Sequence, residues 1–422
     1  MVQASCRSAR LPPQCADGAA PARAEVAQVH QSRDIEGNAM TTPRGGRLTR
    51  ADEWPRHQVA RTFDSVATDS PHWSDGYYFT ASDEAGTASL YTAIRLYANN
   101  DVMDGYACVG IDGRQHNLRW SRRLRPAIDD LAVGPLRVEV LAPLERLRTT
   151  CAPNRYGIAY DLTWTGLHEP YLEAYAERWA AGRLTAQRCN YDQCCDVTGW
   201  LEVDGRRLEV TPQWVGVRDH SWGLGRTGGP RAPAAAPLPP GVGDRSFAVR
   251  QWVMVRFPER VVFWQLHQAD DGTFSMFESR VLPRGGAGEP WSYAGAAELD
   301  VRLVPGHRRL REGTVTLRTP DGGTERFGFT VVGTPVYLQG GGYWQGFDDG
   351  QGRGVYRGED HGEGEVWDVS SPSQVHDPRG LFRARPDAWA EHFAVFENLD
   401  DPAERGTGHL ECVIAGAHPD LS

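Results

Sequence analysis

The segment Arg218-Asp219-His220-Ser221-Trp222-Gly223 sets a carboxyl, an imidazole and an indole side by side, directly after the strand-like run Trp214-Val215-Gly216-Val217. A carboxyl group and an imidazole held in one pocket can serve as general acid and base, and an aromatic side chain can offer a substrate an apolar face. Asp219 and His220 are therefore candidate catalytic groups, with Trp222 and Arg218 as candidate substrate contacts. A structural reading competes with this one. Neighbours on a strand point to opposite faces, so Arg218 can pair elsewhere and Asp219 can cap a turn, giving a hydrogen-bonded corner and no chemistry.

Further candidates follow along the chain. Trp264-Gln265-Leu266-His267 offers His267 as a third catalytic group on the next β-type segment, with Trp264 and Gln265 as binding residues. Tyr343 and Trp344 follow three glycines from Gly340 and could carry aromatic faces to a ligand, or simply pack. Glu359, Asp360, His361, Glu363 and Glu365 form an oxygen-rich run. It lacks the register of a calcium loop, so it reads as a loop or pocket rim with Glu359 and His361 as candidate contacts. Glu397 and His409 lie on C-terminal β-runs, and the sequence leaves their direction open.

The elements that must position these groups are strands. From about residue 60, short runs of period two are separated by Gly, Pro, Asp and Asn. In 88–98, Leu90, Ile94 and Leu96 share one face and Tyr91, Arg95 and Tyr97 the other. Asp204-Gly205 between 197–203 and 206–217 is a two-residue hairpin signal that leads straight into the Asp-His segment. Later strands are expected at 247–257, 261–269, 273–282, 297–304, 314–319, 324–332, 353–358, 392–398 and 407–414, with short helices at 171–181 and 386–391. The expected fold is all-β, two consecutive antiparallel barrels: a tail over 1–48 without a folding core, a first domain over 49–227, a Pro/Ala/Gly-rich linker over 228–245, and a second domain over 246–416. Met40 is a plausible alternative start.

Composition removes several chemistries. Every one of the 45 basic residues is Arg, so no lysine is present to form a Schiff base, anchor pyridoxal phosphate or serve a phosphate loop. A formal charge of −10 argues against nucleic acid as a partner. The eight cysteines show no paired C-x-x-C pattern, so Cys189, Cys194 and Cys195 are expected as idle thiols and no metal is expected. No serine elbow, zinc-binding His pair or dinucleotide glycine motif occurs, and no cofactor is expected. No run approaches the ~20 apolar residues of a membrane helix, and the cytoplasm is the expected location.

The strand followed by Asp219-His220-Ser221-Trp222-Gly223, supported by Tyr191-Asp192-Gln193, Gly199-Trp200 and Trp264 to Gly272, resembles the double-lipocalin superfamily of the carotenoid 1,2-hydratases (hydroxyneurosporene synthases) and their AttH-like relatives. The resemblance covers roughly 60–415 and is nearer to the branch with the R-D-H-S-W-G form and a late Gly358-Glu359-Asp360-His361-Gly362 segment. It implies a barrel pair around an apolar cavity and acid-catalysed addition of water to an isoprenoid double bond, with His220, Trp222 and Asp219 on the functional positions. Two functions stay open: a cofactor-independent lyase or isomerase acting on an isoprenoid, steroid or polyketide-like molecule, or a non-catalytic carrier of a hydrophobic molecule. The ionisable groups at Asp219 and His220 favour the enzyme, since burying acids costs a carrier desolvation and gains it little.

Overall fold

The computed structural model describes residues 48–53, 55–180, 182–225, 247–284, 288–382 and 390–421. The expected tail up to residue 47, Met40 and the linker at 228–245 lie outside the described residues. Within them the long elements are all strands, interrupted by short 3-10 turns such as Arg50–Glu53 and Leu338–Gly341. No helix among the described residues is long and apolar enough to cross a membrane.

Two antiparallel sheets result. The first runs in space Asp360–Asp368, Arg114–Arg123, Val102–Ile111, Ala88–Tyr97, Trp73–Ser82, Val215–Leu224, Arg183–Val203, Ile158–Gly166, Arg146–Cys151, Leu136–Ala142 and Ala132–Val133. The second runs Phe274–Pro283, Arg260–Gln268, Val249–Arg256, Arg405–Ile414, Ala390–Asn398, Thr324–Tyr337, Leu310–Arg318 and Ala294–Leu303. Both curl until their outer strands approach each other, which gives the expected all-β pair of nearly closed sheets. The hairpin at Asp204-Gly205 forms with both residues at positive φ, 48° and 80°, as its two-residue turn demands.

Strand alternation divides the apolar residues among three layers. Phe79, Leu90, Ile94, Trp164 and Val197 fill the inside of the first sheet. Val253, Trp264, Phe327, Phe396 and Leu410 fill the inside of the second. Tyr91, Tyr106, Val217, Trp252, Met254 and Phe263 form a third layer where the sheets meet. The two faces of 88–98 are thus both buried, Leu90 and Ile94 in one core and Tyr91 and Ala93 in the junction.

Three local expectations are corrected. The segment 171–181 is not a helix; Tyr171–Leu172 and Ala176–Ala180 are strands on the long strand Arg183–Val203, whose free edge satisfies their backbone and overrides a weak local helical pattern. The stretch 353–358 is not a strand, because Gly354 and Gly358 turn the chain at φ 75° and 110°. The acidic run that follows is not a loop. It forms the strand Asp360–Asp368, which crosses from the second half of the chain to pair with Arg114–Arg123 on the first sheet, where Glu363 and Glu365 meet the buried Arg119. The helix expected at 386–391 falls outside the described residues up to 389, and Ala390 and Glu391 begin a strand.

Candidate active site

Period two decides which groups reach the junction between the sheets. On Val215–Leu224, Val215 and Val217 belong to the junction layer, so Asp219 and Ser221 face it as well, while Arg218, His220 and Trp222 turn to the inside of the first sheet. On Arg260–Gln268, Val261 and Phe263 mark the junction face, so Gln265 and His267 share it, while Trp264 turns into the second core. Val249–Arg256 and Arg405–Ile414 bring Trp252 and His409 to the same junction, and Ala390–Asn398 brings Glu391 and Phe393.

There a cavity of about 580 Å³ opens, bordered by Asp219, Gln265, His267 and Tyr343 among the residues singled out in the sequence, and by Tyr78, Glu173, Trp252 and Glu391 among those that were not. Glu391 Oε2 lies 2.7 Å from His409 Nε2, with both side chains almost wholly buried. The imidazole is surrounded by the rings of Trp252 at 5.0 Å, Phe393 at 5.9 Å, Tyr91 at 6.1 Å and Tyr78 at 6.2 Å. Burial in this aromatic box pushes the Glu391 carboxyl up to about 8 and holds the His409 imidazole down at about 3. The pair is therefore neutral at pH 7, Glu391 Oε2 and His409 Nε2 sharing one hydrogen bond, and the Tyr78 hydroxyl stands 3.4 Å from the same nitrogen. A carboxylic acid that keeps its proton at neutral pH beside a ligand-sized space is what general-acid chemistry requires.

A second carboxyl group, Asp219, borders the cavity from the first sheet. Asp219 accepts a hydrogen bond from Ser221 Oγ at 3.0 Å, and Ser221 in turn accepts one from Arg95 at 2.7 Å. Behind it Asp192 directly opposes Asp219 across the strand pair. Like charges so placed repel. Asp192 is fully buried, and its one side-chain hydrogen bond is shared with the neighbouring Glu173 carboxyl. Burial first, and then the neighbouring Glu173, push its carboxyl well above the usual range, so it holds a proton. Burial is the largest influence on Glu173 and works to raise it, but Arg188 at 2.9 Å and the hydrogen bonds from Asp192, Gln265 and Asn190 together outweigh it, and the carboxyl falls to about 2. Trp252 Nε1 and Gln265 Nε2 donate to the same group at 3.1 and 2.8 Å.

These directions fix a pH effect. An acid with its folded pKa raised contributes stability that is full below the unfolded value, near 4, and is lost as pH rises through the folded one. Asp192→Asn keeps the neutral shape and removes that loss. Its melting temperature should gain on the wild type between pH 5 and pH 9, and a gap that does not widen would show Asp192 to be ionised in the fold.

The remaining sequence candidates are placed elsewhere. His220 lies inside the first sheet, Nε2 2.8 Å from Asp75 Oδ1 and Nδ1 3.3 Å from the Tyr191 hydroxyl, with its ring 4.3 Å from Tyr77 and 5.3 Å from Trp222. Arg218 is buried beside it and donates to Gln193 Oε1 at 2.8 Å. Trp264 is a core side chain that donates to Gln251 at 2.9 Å, and it does not touch the cavity. Trp344 packs on Tyr343 at 5.4 Å. Glu359 pairs with Arg123 on the surface and His361 with Glu363 at 2.7 Å, so neither borders the cavity. Glu397 points outward to Arg405 while His409 points inward. The cysteines at 108, 151, 189, 194, 195 and 412 are free thiols, and no group of three metal-ligating side chains occurs among the described residues.

The chain belongs to a family of unknown function, DUF8625, which it matches over residues 48–418. None of the curated proteins matches it. Solved structures similar to this member of the family include a protein of Nitrosomonas europaea given the AttH name, at 11% identity and a TM-score of 0.48 over 81% of this chain and 92% of that one. Kievitone hydratase from Nectria haematococca is similar at 12% identity and 0.46 over 89% and 98%. CghA in complex with Sch210972 is similar at 12% identity and 0.43 over 82% and 90%.

Proposed function

We propose that the chain is a cofactor-independent lyase or isomerase, of hydratase or cyclase type, which protonates a small molecule held between two domains, 49–227 and 246–416. The observation that carries this reading is the almost wholly buried Glu391 carboxyl on the wall of an aromatic-sided cavity, where burial favours its neutral form. Glu391 delivers its proton to a double bond, leaving a carboxylate on the enzyme and a cation on the substrate. The cation then loses a proton, giving an isomer or cyclised product, or captures water and loses a proton from it, giving an alcohol. Asp219, which borders the same cavity, is the group to receive that proton, and His409, with Tyr78, holds the acid in place. The resemblance of the Arg218–Gly223 segment to the carotenoid hydratases supports the reaction type. A carrier of hydrophobic molecules has less support, since it gains nothing from a buried acid.

The test is to incubate an extract of the source organism in heavy water with purified protein and look for a deuterium-labelled product. The label should appear with the wild type, vanish with Glu391→Gln and persist with His220→Ala. Loss in His220→Ala alone would move the chemistry to the inside of the first sheet, and an unlabelled compound that merely copurifies would favour the carrier. Once a substrate is in hand, kcat should be flat below neutrality and fall as pH rises through about 8, where Glu391 loses its proton. A rate that instead rises across that range would mean the ionised form is the active one.

A further inference from the structure

The cavity wall also describes the molecule it takes. Ring faces come from Tyr78, Trp252, Tyr343 and Phe247. Among them stand Arg95, Arg178, Arg188 and Arg250, matched by Glu173, Glu177, Asp219 and Glu411. Four of these charges form two ion pairs, Arg188 with Glu173 at 2.9 Å and Arg250 with Glu411 at 2.8 Å. A charged ligand would upset this balance. A pure hydrocarbon would strip water from the same groups and return no hydrogen bond, which is unfavourable for each polar group stranded.

Gln265 sharpens the point. Its amide nitrogen donates to Glu173 and Glu278, each at 2.8 Å, which fixes the orientation of the amide. Its carbonyl oxygen is buried and has no hydrogen-bond partner among the described residues, although the residue borders the cavity. Native structures rarely leave a buried acceptor so, and a ligand hydroxyl is the donor that would complete it. The volume of about 580 Å³ has room for a molecule of a few rings.

We infer that the site takes an uncharged, ring-bearing, hydroxylated molecule of about steroid size, whose hydroxyl donates to Gln265 Oε1, and not a linear hydrocarbon. This rests on the proposed function only in using the same cavity. Binding is read without turnover, so a failure of the proton chemistry in heavy water and a failure here are separate results.

The probes are androstane and androstanol, identical but for one hydroxyl, titrated calorimetrically into the full chain. Androstanol should bind about tenfold or more tightly than androstane, since a site built to accept a hydroxyl discriminates against the analogue that lacks it. Gln265→Leu, which keeps the bulk and removes the acceptor, should bring the two within about twofold. If that variant fails to fold, Gln265→Met should give the same levelling, and Gln265→Glu, which retains an acceptor, should keep the preference. Equal affinities in the wild type, tighter binding of androstane, no binding of either probe, or a preference that survives in a folded Gln265→Leu or Gln265→Met protein would each overturn the inference.

Discussion

Glu391→Gln is expected to lower the rate of proton transfer by about 10²–10⁴-fold, the usual contribution of a positioned general acid, while leaving the fold and ligand affinity nearly unchanged. Gln has the shape of the neutral acid and can still hydrogen-bond to His409 Nε2, 2.7 Å away, but it carries no transferable proton. The same substitution has a signed effect on stability. Because the folded pKa of Glu391 is raised from 4.5 to about 8, the wild type is fully stabilised only below about pH 4.5 and loses that contribution up to about pH 8. Glu391→Gln should therefore melt higher relative to the wild type at pH 8.5 than at pH 5. Single-turnover rates and thermal melts at the two pH values check both parts, and a variant that keeps its rate would remove Glu391 from the chemistry.

The largest stability effect is expected at Arg119. Its side chain is fully buried and meets Glu363 at 2.8 Å, Glu365 at 2.9 Å and Asp348 at 3.1 Å, with Phe347 under the guanidinium at 5.7 Å. These contacts hold the strand Asp360–Asp368 to the first sheet and so tie the second half of the chain to the first. Arg119→Met takes the shared guanidinium from the buried Glu363 and Glu365, leaving Glu363 with the His361 imidazole at 2.7 Å and Glu365 with Arg379 at 3.3 Å. Breaking such a pair costs roughly 3–5 kcal/mol, so the denaturation midpoint should fall markedly, and early proteolysis should concentrate around 359–368. The double replacement Arg119→Met with Glu363→Gln should recover part of the loss. A midpoint unchanged in Arg119→Met would show the network to be solvated and the crossover to be held by backbone pairing alone.

The period-two pattern made the β class legible, and Asp204-Gly205 placed the strand that carries Asp219. Direction was the harder question. Adjacent Asp219 and His220 are one motif in the sequence, yet alternation sends them to opposite faces of the sheet, and only the packing shows that the odd-numbered face meets the cavity. The same rule, applied to Trp264-Gln265-Leu266-His267, separates the core tryptophan from the two cavity residues. Glu391 was hidden because a single acid opening an apolar run, Glu391 to Phe396, reads like a strand end. Its meaning comes from His409, on a strand that follows it in the chain, and from Tyr78 and Trp252, which are far from both in sequence. The acidic run from Glu359 to Glu365 reads as a loop or pocket rim in the sequence, because the group that makes it a strand, Arg119, comes some 240 residues earlier.

The central claim is that Glu391 holds a proton at neutral pH on the wall of the cavity. Infrared difference spectroscopy of the wild type against Glu391→Gln tests it without a substrate, because the carbonyl stretch of a neutral carboxylic acid is separate from that of a carboxylate. The account predicts a neutral-acid band at pH 7 that the variant lacks and that fades as pH rises through about 8. A difference spectrum showing only the carboxylate of Glu391 at pH 7 would contradict it.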